Sequence, residues 1–220
     1  MACLHAFLRT LGVALLLLAW VPAMGQAASH TSLNAQLLVA ARQSDTAAVQ
    51  QALARGAAVD SRNRLGKTVL MIAAENGQLA LAAVALKAGA DVNLASLERV
   101  TPLMAASYGG HATLVRDLLE AGARIDAVDR MRKPAIVYAA GQGHAAVVLQ
   151  LLDRGVSPNA VYENQLTALM WAAGAGAADT VTLLLARGAR TDPRDDRGLS
   201  AQDIARLAGH AEVASLLGAP

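Results

Sequence analysis

Apolar and polar residues follow one another along this chain in blocks that repeat. After Thr68, Thr101, Pro134, Thr167 and Ser200, which are 33 residues apart, come VLMIAAENG, PLMAASYGG, AIVYAAGQG, ALMWAAGAG and AQDIARLAG. A second block follows each of the first four: LALAAVALKAG, ATLVRDLLEAG, AAVVLQLLDRG and AADTVTLLLARG. In the second blocks Val84, Leu86, Leu114, Val115, Leu118, Leu119, Leu151, Leu152, Leu184 and Leu185 recur at helical spacing. That periodicity predicts helices with one face turned toward the neighbouring blocks. Helices this short are marginal in isolation, so their stability has to come from stacking.

Glycine punctuates the blocks. Gly56, Gly89, Gly122, Gly155 and Gly188 keep a 33-residue period, and so do Gly77, Gly110, Gly143, Gly176 and Gly209. Both series fall where a helix is expected to end in a left-handed residue, a conformation glycine adopts without steric cost. Thr68, Thr101, Thr167 and Ser200 are placed to cap the first helices with their hydroxyls, and Pro102 fits the first helical position behind Thr101. A fixed period of this length is the signature of a repeat architecture and takes precedence over local readings.

The segments Thr101-Pro102-Leu103-Met104-Ala105-Ala106, Gly110-His111, Leu118-Leu119-Glu120-Ala121-Gly122-Ala123 and Asp91-Val92-Asn93, at this spacing, resemble an ankyrin repeat. The resemblance covers about residues 33–217. It implies an all-α solenoid of stacked helix-turn-helix units with β-turn fingers, about six repeats including the caps. The units are expected at 33–61 (N-terminal capping repeat), 62–94, 95–127, 128–160, 161–193 and 194–220 (C-terminal capping repeat). Members of the family bind proteins through the finger tips and the face of the first helices.

Several residues depart from the family pattern. Met71, Met104, Val137 and Met170 stand in the histidine column, which replaces a polar contact with apolar packing. Pro134 deprives its helix of a hydroxyl cap. Arg99, Arg132 and Gln165 replace the finger glycine kept as Gly66 and Gly198, so those three fingers are expected to differ in shape. Ser44 stands where the opening copy would carry a glycine.

Composition narrows the functional classes. The 220 residues are 55% hydrophobic and 16% charged, which excludes a disordered chain. A formal charge of +2 gives no signal for nucleic acid. Residues 1–25 run from Arg9 through an apolar stretch to Ala23-Met24-Gly25, the order of a secretory signal cleaved after Gly25, with Ala27 or Ala28 as alternatives. Residues 26–32 then form a short linker. Cleavage removes Cys3 and leaves 18 basic and 17 acidic residues, a charge of +1. A chain free of cysteine suits an oxidising compartment, and a periplasmic or secreted location is expected. The competing reading is an uncleaved anchor that tethers the repeats to the inner membrane, although the apolar stretch is shorter than a spanning helix needs.

No constellation for catalysis emerges. His111, His144 and His210 are spread along the repeats rather than clustered as metal ligands would be. They read as structural residues at the turn before the second helix. Gly174-Ala175-Gly176 lacks the Lys-Ser/Thr of a phosphate loop. Ser107, Ser157 and Ser200 lack a nucleophile elbow. Asp60, Asp91, Asp126 and Asp192, near the exits of the second helices, read as turn residues. No enzyme activity, cofactor or metal is expected.

The positions free to vary remain. The candidate protein-binding residues are Arg64, Leu65, Lys67, Leu97, Glu98, Val100, Arg130, Met131, Lys133 and Leu166 on the fingers, with Tyr108 and Gln142 on the first-helix face. Their apolar members form a strip ringed by charge, the composition of an interface. Arg62, Arg64, Lys67, Arg99, Arg130, Arg132 and Lys133 bias the fingers positive, which suits the steering of an acidic partner. Tyr138 and Trp171 fall in a column expected to pack in the core. The expected partner is a protein of unspecified identity, with no nucleic acid, no membrane contact once the signal is removed, and a monomeric chain.

Overall fold

The computed structural model describes residues 32–218. The signal sequence, the cleavage site, the alternative anchor, and nearly all of the linker lie outside the described residues. Residues 33–218 form twelve helices in six antiparallel pairs: α1 (Leu33–Arg42) with α2 (Thr46–Ala54), α3 (Val69–Asn76) with α4 (Leu79–Lys87), α5 (Pro102–Tyr108) with α6 (Ala112–Glu120), α7 (Ala135–Gly141) with α8 (Ala145–Asp153), α9 (Ala168–Gly174) with α10 (Ala178–Ala186), and α11 (Ala201–Leu207) with α12 (Ala211–Gly218). No helix among the described residues is long and apolar enough to cross a membrane.

The starts of the first helices follow from their capping residues. Thr68, Thr101, Thr167 and Ser200 accept from the backbone N–H three residues on, at 3.2, 3.3, 3.3 and 3.2 Å. Each satisfies a donor the helix itself leaves orphaned. Pro134 makes no such bond. Ser200 and Asp203 form a full capping box. The Ser200 hydroxyl and its backbone N–H, both donating to the Asp203 carboxylate, hold that group below its ordinary range.

The ends follow from the glycines. Gly77 closes α3 at φ 66°, and the N–H of the next residue, Gln78, reaches back to the Ala73 carbonyl at 2.9 Å. Gly122 closes α6 at φ 89°, with the Ala123 N–H on the Leu118 carbonyl at 2.9 Å. This six-to-one bond takes up a carbonyl the helix leaves free, and both glycine series share the left-handed conformation. Ser44 holds it too, at φ 62°.

Two rows of helices result. Neighbouring first helices (α1, α3, α5, α7, α9, α11) pack more closely together than neighbouring second helices do. Alanine permits this: Ala73, Ala74, Ala106, Ala139, Ala140, Ala172, Ala173 and Ala205 are fully buried along the first row. The stack therefore curves with the first-helix row on the inside. Larger side chains fill the space between the rows, with Leu70, Leu81, Leu103, Leu114, Leu118, Leu151, Leu169 and Leu184 excluded from solvent. Met71, Met104 and Met170 are buried in the core, and Val137 is buried too, beneath the finger side of its helix pair. Of the second-helix residues marked by periodicity, Leu114, Val115, Leu118, Leu119, Leu151 and Leu184 are buried, whereas Val84, Leu86, Leu152 and Leu185 are half-exposed at the rim of the second row.

Side chains also stitch one repeat to the next. Asn93 accepts from the Arg124 N–H at 2.8 Å and donates to the Gly122 carbonyl at 3.2 Å. Two periods on, Asn159 does the same with Arg190 and Gly188, at 2.8 and 2.9 Å. Asp60 occupies this column one period earlier and accepts from the Asp91 N–H at 3.1 Å. Asp60 and Asp91 therefore have different places in the repeat: the first clamps, the second is clamped.

Candidate functional site

Five fingers project between the helix pairs, and each starts from one column: Asn63, Ser96, Asp129, Tyr162 and Asp195. In the first finger the Gly66 N–H donates to the Asn63 carbonyl at 2.9 Å and the Asn63 N–H donates to the Lys67 carbonyl at 3.0 Å. The Asn63 side chain accepts from the Leu65 and Lys67 N–H groups at 2.9 and 3.0 Å. A short polar acceptor at this position can stand in for a backbone turn partner. Ser96, Asp129 and Asp195 play the same part at 3.3, 2.8 and 2.9 Å.

This scaffold overrides the expected difference in two of the fingers. Arg99 and Arg132 take φ 61° and 58°, close to Gly66 at 74° and Gly198 at 79°. The turn and the acceptor at its base impose the left-handed residue, and the arginines bear the strain. The fourth finger does differ. Tyr162 offers no short acceptor, the segment Glu163–Gln165 winds into a single 3₁₀ turn, and both Asn164 and Gln165 are left-handed, at φ 58° and 59°.

Adjacent fingers are joined by backbone hydrogen bonds. The Leu97 N–H donates to Leu65 O at 3.0 Å, Arg130 N–H to Glu98 O at 3.2 Å, and Asp196 N–H to Asn164 O at 3.1 Å. Among the described residues no equivalent bond links Met131 to Glu163; an Arg132–Glu163 ion pair at 2.9 Å bridges the gap instead. A cleft of about 340 Å³ opens there, walled by Arg130, Met131, Arg132, Lys133, Val137, Tyr162, Glu163, Asn164, Leu166 and Trp171. Its neighbour, of about 390 Å³, shares Leu166 and Trp171 and runs on to Gly141, Met170, Gly174, Ala175, Arg197 and Ile204.

The binding candidates read from the sequence divide into groups. Leu65, Leu97, Tyr108 and Met131 are exposed to 59, 55, 55 and 63%, large values for side chains of this size. Arg64, Glu98, Arg130 and Gln142 are exposed beside them. Val100 and Leu166 instead lean on the core as struts between the fingers and the first helices. Lys67 is tied to Glu75 at 2.7 Å. Arg130, Met131, Lys133 and Leu166 are brought together at the first cleft.

Tyr138 and Trp171 are half-buried and act as more than core residues. Tyr138 meets the Tyr108 ring edge-on, with centroids 6.0 Å apart, and donates its hydroxyl to Asp129 at 2.5 Å. Burial, with the Asp129 carboxylate beside it, raises its pKa. Trp171 lies between the two clefts with the Lys133 ammonium 4.5 Å above its ring. Burial pushes the Tyr162 phenol up to about 12. Sequence reading missed Tyr162, Val137, Gly141, Gly174 and Ile204 as parts of this surface. Comparison down the repeat columns carries the signal, since Tyr162 stands among Asn, Ser and Asp, and Gly141 and Gly174 share a column with Glu75, Tyr108 and Leu207.

Much of the basic bias on the fingers is internally engaged. Arg62 donates to the carbonyls of Gly66 (3.0 Å) and Ala95, and Arg130 pairs with Glu98 at 3.6 Å. Among the described residues, Arg64, Arg99 and Lys133 have no carboxylate within ion-pair range.

The histidines are held one per repeat. Nε2 of His111, His144 and His210 lies 3.3, 2.9 and 3.2 Å from the carbonyls of Glu75, Tyr108 and Gly174. A carbonyl only accepts, so Nε2 carries a proton, and each ring satisfies a carbonyl at the end of the preceding first helix. Ala177 holds this column in the fourth period, and a polar hollow lined by Gly141, Gln142, Gly143 and Ala177 takes the place of the ring. Among the described residues no group of three or more His, Cys, Asp or Glu is placed to hold a metal ion. A family model described as ankyrin repeats (three copies) matches residues 37–129 and 136–219. No curated protein matches the chain.

Proposed function

The chain belongs to the ankyrin-repeat family, whose repeats serve protein–protein interaction, and on that premise we propose that it is an exported adaptor without catalysis of its own. It binds a protein partner through the finger tips and the inner face of the first-helix row. The observation that carries this reading is the row of large exposed apolar side chains, Leu65, Leu97, Tyr108 and Met131, along one edge of a folded stack. Apolar groups that remain in water beside charged neighbours are typical of a recognition patch. The N-terminal pattern of residues 1–25 supports export to the periplasm with release from the signal, and we propose a monomeric chain there.

Crosslinking and affinity capture from the native envelope test the surface. A specific protein partner is expected, and it should be lost when Leu97, Tyr108 and Met131 are all changed to alanine while the melting temperature holds. Retention of the partner by that triple variant refutes the assignment. The mass of the exported protein separates the released form from the tethered one, since an intact N-terminus means an anchor.

A further inference from the structure

Departures from the repeat gather at one place on the inner face. Tyr162 breaks the acceptor column at the base of the fourth finger, and the backbone link between fingers three and four is missing there. Gly141 and Gly174 remove the side chains that Glu75, Tyr108 and Leu207 supply in their column. Between these glycines lies Trp171, half-buried, at the junction of two clefts of about 340 and 390 Å³. In a solenoid each repeat is free to keep its own pattern. The coincidence of these changes around one indole therefore points to a built feature.

We propose that this trough is a docking groove for an extended acidic–aromatic segment of the partner protein: a bulky apolar side chain lies against Trp171 between Gly141 and Gly174, and a neighbouring carboxylate meets Lys133. The proposal rests on the protein-binding reading above and names the chemistry of the partner. The floor is apolar, built from Val137, Leu166, Trp171 and Ile204. A glycine floor lets a chain approach closely, where a side chain would block it. The Lys133 ammonium sits over the Trp171 ring at the lip and has no carboxylate partner among the described residues. Asp129, the nearest acid in its finger, is turned inward to Tyr138 and to the Lys133 backbone. Arg64 and Arg99, without an ion-pair partner among the described residues, add positive charge farther along the fingers, so a segment bearing carboxylates is attracted and a basic one is not. The trough spans three repeats. At a helix spacing of roughly 10 Å that is roughly 20 Å, the reach of about six extended residues.

Fluorescence anisotropy with labelled hexapeptides tests this on the full chain. The probes are Glu-Asp-Phe-Leu-Glu-Asp, its basic counterpart Lys-Arg-Phe-Leu-Lys-Arg, and Glu-Asp-Ala-Ala-Glu-Asp. Saturable binding is expected for the first probe and at least tenfold weaker binding for the other two. Gly141→Leu fills the groove, and its Cβ meets only the Trp171 ring edge, at 3.5 Å, so the fold is kept. That variant and Trp171→Ala should each weaken the first probe at least tenfold, with unchanged circular dichroism. Lys133→Ala should reduce the preference for the acidic probe over the basic one, and an unchanged preference overturns the pairing of the carboxylate with Lys133. The groove assignment is overturned if no probe saturates, if the alanine probe binds as well as the first, or if Gly141→Leu binds undiminished. A Gly141→Leu chain that still captures its partner from the envelope overturns the groove and leaves the protein-binding reading standing. Loss of capture by the finger triple variant, with peptide binding intact, supports both.

Discussion

The Tyr138 hydroxyl reaches out of helix α7 to the Asp129 carboxylate at the base of the third finger, 2.5 Å away. Asp129 is almost wholly buried, and its other oxygen accepts from the Lys133 N–H. One carboxylate thus fixes the finger's own turn and fastens it to the first-helix row. Tyr138→Phe leaves one oxygen of a buried charge unsatisfied. A hydrogen bond to a charged group contributes about 1.5–3 kcal/mol, and a loss of about 2 kcal/mol in denaturant unfolding is expected. An unchanged midpoint would show that the finger stands without this tie.

Alkaline pH probes the same region. A free tyrosine titrates near pH 10, whereas burial raises Tyr138 and pushes Tyr162 up to about 12. Above pH 10 the unfolded chain releases these phenolic protons while the folded chain retains them. The folded state then binds more protons, so stability falls as pH rises, from about pH 10 to the folded value of each group. Below pH 10 both states are protonated and the slope vanishes. The melting temperature should decline between pH 10 and 11, and Tyr162→Phe should flatten part of the decline. A slope identical to that of the parent would remove Tyr162 as a contributor.

Left-handed positions give a matched pair of substitutions with opposite signs. Gly122 has φ 89° with open space where a Cβ would lie, so only backbone strain opposes a side chain there. Gly122→Val should cost at least ~1 kcal/mol, since β-branched residues are poorly tolerated at positive φ. Arg99 already sits at φ 61° and is exposed, without an ion pair among the described residues. Arg99→Gly relieves strain of about 1–2 kcal/mol against an added entropy cost of about 0.5–1 kcal/mol on folding, and a net gain of about 0.5 kcal/mol is expected. Thermal unfolding of the two variants, run side by side, checks both signs.

The pattern of Thr68, Pro102, Gly77 and Gly122 made the helices and their ends legible in the sequence, because caps and left-handed exits are set by local chemistry. The site was only partly legible. Leu65, Leu97, Tyr108 and Met131 stood out as bulky residues at variable positions, and all four are exposed. Val100 and Leu166 looked the same in sequence and are struts, because whether a finger residue leans on the core depends on packing between repeats. The fingers of Arg99 and Arg132 kept their shape because a neighbouring acceptor, Ser96 or Asp129, enforces the turn. The trough stayed hidden because it arises from missing side chains at Gly141 and Gly174, and an absence shows only when whole columns are compared.

Two buried hydroxyls offer a last test of how tightly the stack is specified. Ser107 in α5 and Thr180 in α10 are fully excluded from solvent, and among the described residues neither the Ser107 Oγ nor the Thr180 Oγ1 has a hydrogen-bond partner. In the repeats between the caps their columns are otherwise apolar: Ala74, Ala140 and Ala173 for the first, Leu81, Leu114 and Val147 for the second; in the closing repeat the columns hold Arg206 and Val213. A buried polar group without a partner costs about 1–3 kcal/mol. Ser107→Ala removes the hydroxyl and matches its column, and Thr180→Val replaces the hydroxyl with a methyl of the same shape. Each should raise stability by about 1 kcal/mol. The two sites lie in different repeats and share no partner, so their effects should add in the double variant. A loss of stability in either single variant would mean that the hydroxyl finds an acceptor in solution, through an i−4 carbonyl or an enclosed water, and amide exchange of the preceding helical turn would locate it.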